Sequence, residues 1–148
     1  MELDLSLVGK PLPETTFTYD WQRTALYALG VGAGTGDLPY LFEKHPAFAV
    51  VPSFAVVPTT DMVMDGLRAA NADFRKLVHG AQTITLHAPV PAEGTLTTTG
   101  RITEIQDKGK GAVVLFDTAT HAADGALLFE TTWSIFCRGQ GGFGGERG

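Results

Sequence analysis

At Leu77 the hydrophobic period of this chain changes from about four residues to two, and that change decides what the chain can build. Upstream, Asp20 is placed to cap a helix carrying Trp21, Ala25, Leu26, Tyr27 and Leu29 on one apolar face, ended by the glycines of Gly30 to Gly36. A second helix is expected from Thr59 or Thr60, just beyond Pro58. Val63, Leu67 and Ala70 form its apolar face, and Asp65, Arg68 and Asn71 its polar one. Met62 and Met64 read as flexible core filler.

Downstream, Ile84, Leu86 and Ala88 alternate with Thr85 and His87, and the prolines around Val90 then turn the chain. A second strand is expected over Leu96 to Gln106, and a third from Ala112, after the turn Asp107-Lys108-Gly109-Lys110-Gly111. Asp124-Gly125 signals a two-residue hairpin. The last strand puts Phe129, Thr131, Trp133, Ile135 and Cys137 on one face. The spacing therefore predicts a helix, a long helix, and about four antiparallel strands. Neither a long apolar helix nor a one-faced sheet can bury its surface alone. The expected fold is α+β and hotdog-like, an antiparallel sheet wrapped around a long central helix.

At 148 residues the chain is the size of one domain. That domain is expected over residues 1–138, with 139–148 a glycine-rich tail or linker, flexible by composition. A net charge of -5 argues against nucleic acid as a partner. Ala47 to Val57, broken by Pro52 and Ser53, is too short to span a bilayer, so no membrane is expected. Met1 to Lys10 has no apolar core of a secretory signal. A cytoplasmic location follows, peroxisomal if the source is eukaryotic. Cys137 is the sole cysteine, and His45 and His87 have no partner at metal-ligand spacing, so no metal or other cofactor is expected.

Several stretches in order, YALGVGAG from Tyr27, FEKHPAFAVVPSFAVVP from Phe42, LVHGAQTITLHAPVPAEG from Leu77, DKGKGAVVLFDT from Asp107 and GQGGFGGERG from Gly139, carry a resemblance. Together they resemble the N-terminal half of (R)-specific 2-enoyl-CoA hydratase (hydratase 2), of the MaoC-like dehydratase family. The resemblance implies two hotdog halves side by side. The C-terminal half carries an Asp-x-Asn-Pro-x-His motif that adds water to a trans-2-enoyl-CoA, giving the (3R)-3-hydroxyacyl-CoA. The half that this chain resembles accommodates the acyl chain and helps to hold the CoA thioester substrate.

Counted from Tyr27, the positions of that Asp and His fall near Gly32 and Asp37, so the resemblance implies no catalytic residue here. It implies substrate contacts at His79, Gly80 and Lys108. Glycine allows a ligand close to the backbone, imidazole can donate to a carbonyl or phosphate, and a turn lysine suits a phosphate. By residue type alone His79 reads first as a satisfied sheet histidine with Gly80 a bulge, whereas Lys108, like Lys110, reads equally as a solvated turn lysine. Phe42, Phe48, Phe54, Met62 and Met64 would line an acyl tunnel or serve as plain core.

The expected partner is a catalytic hotdog half, as a second chain or further domain, or a second copy in a homodimer. One alternative is a self-sufficient homodimeric hotdog thioesterase or dehydratase using Asp37 or Glu43, although a lone Asp37 reads first as a solvated loop or cap residue before Leu38-Pro39. Another is a hotdog scaffold subunit pairing through its sheet edge.

Overall fold

In the computed structural model, which describes residues 2–148, the sheet and helices fall where the change of period places them. Strand β1 covers Thr15–Tyr19 and helix α1 Trp21–Gly30. Helix α2 covers Thr60–Ala69, and β2 (Leu77–Leu86), β3 (Gly94–Asp107), β4 (Gly111–His121) and β5 (Leu127–Arg138) follow. They form one antiparallel sheet in the order β1-β3-β4-β5-β2, with α2 packed on one face. This is the expected α+β hotdog.

The described residues form five strands rather than four. The unexpected one, β1, pairs with the start of β3, setting Phe17 opposite Leu96. Thr15 to Tyr19 does alternate, but it is short and runs straight into the Asp20 cap, whose carboxylate accepts the Arg23 amide at 3.0 Å.

Helix α2 starts where Pro58 predicts, but it is ten residues rather than the long helix expected, ending at Ala69, with Asn71 two residues on at a φ of 59° turning the chain away. Met62, Val63, Gly66 and Leu67 are its buried side. Val63, Leu67 and Ala70 join Ile102, Val114, Phe116, Trp133, Ile135 and Cys137 in the main core. Gly66 permits the close approach: a Cβ there would lie 2.6 Å from the Phe116 ring and 2.9 Å from Leu12. A second cluster around Phe54, Tyr19, Leu96 and Phe129 fills the other end.

Helix α1 buries a different face from the expected one. Thr24, Ala25 and Ala28 point inward, while Leu26 and Leu29 are 68% and 54% exposed. Small residues let the helix lie close, and Tyr27 reaches past them to meet Phe54 edge-on at 5.4 Å. The final hairpin also differs: Ala122 and Ala126 pair across a loop of Ala123 to Gly125, with Gly125 at φ 86°. It is a longer loop than Asp124-Gly125 alone predicts.

The glycine-rich tail is not free of the sheet. Gly139 donates its amide to the Lys110 carbonyl at 2.8 Å, and Asp107 donates its own to Glu146 at 2.8 Å. Gln140 is buried, its side chain donating to the Asn71 carbonyl and accepting from the Asp73 amide. Phe143 packs against the main core. These bonds tie the tail to the β3–β4 turn and to the end of α2.

Candidate functional site

Strand β2 is an edge of the sheet, and among the described residues it is hydrogen-bonded to β5 alone. Its pairing slips between His79 and Ala81, so Gly80 is a β-bulge. A Cβ at Gly80 would sit 3.4 Å from the Ser134 carbonyl, in ordinary contact with β5. The bulge turns His79 onto Trp133, the two rings stacked at 4.7 Å and 10°. The imidazole remains exposed. Gly80 is thus the bulge, and His79 is stacked yet accessible.

Trp133 is itself fixed from beneath. Its indole N–H donates to Thr59 Oγ1 and Thr131 Oγ1, each at 3.1 Å. Thr59 donates on to the Val56 carbonyl, and Thr131 shares a 2.7 Å bond with Thr118. This buried chain ties the start of α2 to the platform under His79. Threonine in a strand reads as β-propensity, so the sequence holds no separate signal for it.

Lys108 lies on the β3–β4 turn. Cys137 is opposite both Leu77 and Ala112, so Lys108 and His79 lie toward the same end of the sheet, with β5 between. Lys108 is exposed and its ammonium meets the Arg147 carbonyl. Lys110 is exposed beside it.

At the opposite end, a pocket of about 530 Å³ is lined by Phe48, Val50, Pro52, Leu86, Ala88 and Val90 among others. The five residues considered for an acyl tunnel do not share it. Phe54 and Met62 are core, Phe42 is exposed, Met64 packs on the main cluster, and Phe48 alone lines the pocket. His87 lies on the pocket rim, its Nε2 2.8 Å from Glu130. That pairing joins two strands and leaves no trace in local spacing.

The loop after α1 is locally closed. Asp37 accepts the Gly34 amide at 2.9 Å and donates its own to the Gly34 carbonyl at 2.8 Å. Gly32 adopts φ 106°. Asp37 is thus engaged as a loop residue. Glu43 is half-buried in the following loop, and His45 Nδ1 accepts the Ala47 amide. Among the described residues no three His, Cys, Asp or Glu side chains converge as a metal site would require. No helix among them is long and apolar enough to cross a membrane. Burial pushes the Cys137 thiol up to about 11, so it is a core side chain and no nucleophile.

The model of the MFE-2 hydratase 2 N-terminal domain matches residues 17–139. The chain belongs to this family. The chain spans about half the length of the first curated relatives it matches. A 3-hydroxyacyl-thioester dehydratase Y of Mycobacterium tuberculosis is 39% identical over the whole chain, which spans 52% of that protein. The structure of full-length peroxisomal multifunctional enzyme type 2 from Drosophila melanogaster superposes with a TM-score of 0.77 at 30% identity. The alignment covers 92% of this chain and 24% of that one. A MaoC-like dehydratase from Phytophthora capsici shares the fold, with a TM-score of 0.79 at 24% identity over 96% of this chain and 51% of its own.

Proposed function

We propose that this hydratase 2 N-terminal domain is the acyl-CoA-binding, non-catalytic half of an (R)-specific 2-enoyl-CoA hydratase. Hydration of an enoyl thioester needs a base for water, an acid for the adjacent carbon, and donors at the thioester oxygen. The observation that carries the reading is the contrast between two sites. The loop where the acid/base pair would stand presents Gly32 and an Asp37 bonded to Gly34. The open edge β2 presents an imidazole on a rigid indole. One site lacks the machinery for chemistry, and the other is built to hold something.

In this reading a trans-2-enoyl-CoA lies along β2. Its phosphates meet Lys108, its thioester meets His79 beside the Gly80 bulge, and its acyl chain runs toward the Phe48 pocket. Those ends are far apart: His79 to Leu86 is about 23 Å at a strand rise of about 3.3 Å per residue. Only an extended ligand engages both. The acid and base come from a second hotdog unit seated at the unpaired edge, where backbone groups invite a strand.

The test is a calorimetric titration of trans-2-enoyl-CoA into the chain and into its His79→Ala and Lys108→Ala variants. Binding weakened by each substitution supports the reading. Binding indifferent to both contradicts it, and hydrolysis of the thioester that is lost in Asp37→Asn or Glu43→Gln would favour a self-sufficient thioesterase instead.

A further inference from the structure

Asp107 ends β3, and its buried side chain serves two segments at once. Its Oδ1 accepts the amides of Gly109 at 2.8 Å and Gly142 at 2.8 Å, and its Oδ2 accepts that of Gly144 at 2.7 Å. Its own amide donates to the Glu146 carbonyl. One carboxylate thus ties the turn that carries Lys108 to the strap formed by residues 139–146. The fit is tight. A Cβ at Gly141 would fall 2.0 Å from the Gly111 carbonyl oxygen, so the strap crosses this turn only with glycine there. Gln140 holds the strap's near end to the end of α2 through Asn71 and Asp73.

Hydrogen bonds from several backbone amides stabilise the ionised carboxylate specifically. They hold Asp107 down at about 2, so the bond network persists throughout the neutral range. An amide at this position would keep one accepting oxygen and replace the other with a donor, and Gly144 would then face an N–H group.

We propose that Asp107 is a positioning residue, whose carboxylate locks the strap of residues 139–146 across the β3–β4 turn and so fixes where that turn presents Lys108. The lock itself stands on the geometry of this segment. Its consequence for the ligand rests on the acyl-CoA reading above. One residue beyond the strap, the Arg147 carbonyl accepts from the Lys108 ammonium. A phosphate at Lys108 therefore takes the ammonium from that carbonyl while Asp107 keeps the strap in place.

The experiment is amide hydrogen exchange on the full chain, followed residue by residue, for wild type, Asp107→Asn, Asp107→Glu and Gln140→Ala. With Asp107→Asn, exchange at Gly144 is expected to accelerate at least about tenfold, and more than at Gly142, while the β5 amides stay protected, which also shows that the variant folds. Asp107→Glu should restore part of the protection. Gln140→Ala should loosen the strap from its other end without touching Asp107. Unchanged exchange at Gly144 in Asp107→Asn overturns the proposal.

Titration with free coenzyme A then separates the two readings. Where Asp107 acts through Lys108, Asp107→Asn weakens binding, and adding it to Lys108→Ala causes no further loss. Fully additive losses overturn the positioning role. A wild-type chain that binds no coenzyme A refutes the acyl-CoA reading, and the exchange rates alone then decide the lock.

Discussion

His79 lies flat on Trp133, ring centroids 4.7 Å apart and planes within 10°, at the point where the edge strand bulges. The stack gives an exposed imidazole a fixed orientation. A ligand group meeting His79 meets a side chain with little rotamer freedom left to lose.

His79→Ala should weaken binding of a trans-2-enoyl-CoA by about tenfold, the equivalent of one hydrogen bond at about 1.4 kcal/mol. Because Trp133 lies against the imidazole, ligand binding should also change the indole fluorescence in wild type and less so in the variant. A fluorescence titration reads both effects.

The indole N–H has two acceptors, Thr59 and Thr131. Replacing either by valine leaves one acceptor and should cost about 1 kcal/mol. Replacing both orphans a buried donor, and the double variant should lose more than the sum, since an unsatisfied buried group costs about 1–3 kcal/mol. Denaturant unfolding of the three variants measures the coupling.

Gly66→Ala should destabilise the fold by about 1–3 kcal/mol, although alanine is the better helix former. The added methyl would meet Phe116 at 2.6 Å and Leu12 at 2.9 Å, driving α2 off the sheet. Thermal unfolding tests the sign: a gain in stability would show that the helix–sheet contact yields.

The folding contribution of Asp107 should depend on pH in one direction. Its carboxyl is held down at about 2, from the usual 3.8, by backbone amides led by Gly142 and Gly109. A lowered folded value means stabilisation that is complete above about pH 4 and lost as the pH falls toward 2. Acid titration should therefore show a step in that window which Asp107→Asn abolishes, with little difference in slope between the two proteins above pH 5.

The fold was legible because periodicity speaks for the layers. Phe129, Thr131, Trp133, Ile135 and Cys137 all point inward as their alternation predicts, and Pro58 marks the start of α2. What escaped depends on partners distant in sequence. Leu26 and Leu29 look like a buried face, but Thr24 and Ala28 win because small side chains let α1 approach Phe54. The tail reads as flexible from its glycines, yet Asp107, some thirty-five residues upstream, holds two of them. Similarly, His79 and Gly80 stand out as a pair, but Trp133 enters only once β2 lies beside β5. Of the five residues read as acyl tunnel or plain core, Phe54 and Met62 are core, and Phe48 alone reaches the pocket.

The central claim, that this half binds and does not catalyse, is tested most directly by following hydration of a trans-2-enoyl-CoA through loss of the conjugated thioester absorbance. The purified chain alone should give no turnover above background, and adding a separate hotdog chain with the Asp-x-Asn-Pro-x-His motif should produce (3R)-3-hydroxyacyl-CoA. Reproducible turnover by the chain alone would contradict the account, and its loss in Asp37→Asn would place the chemistry on Asp37.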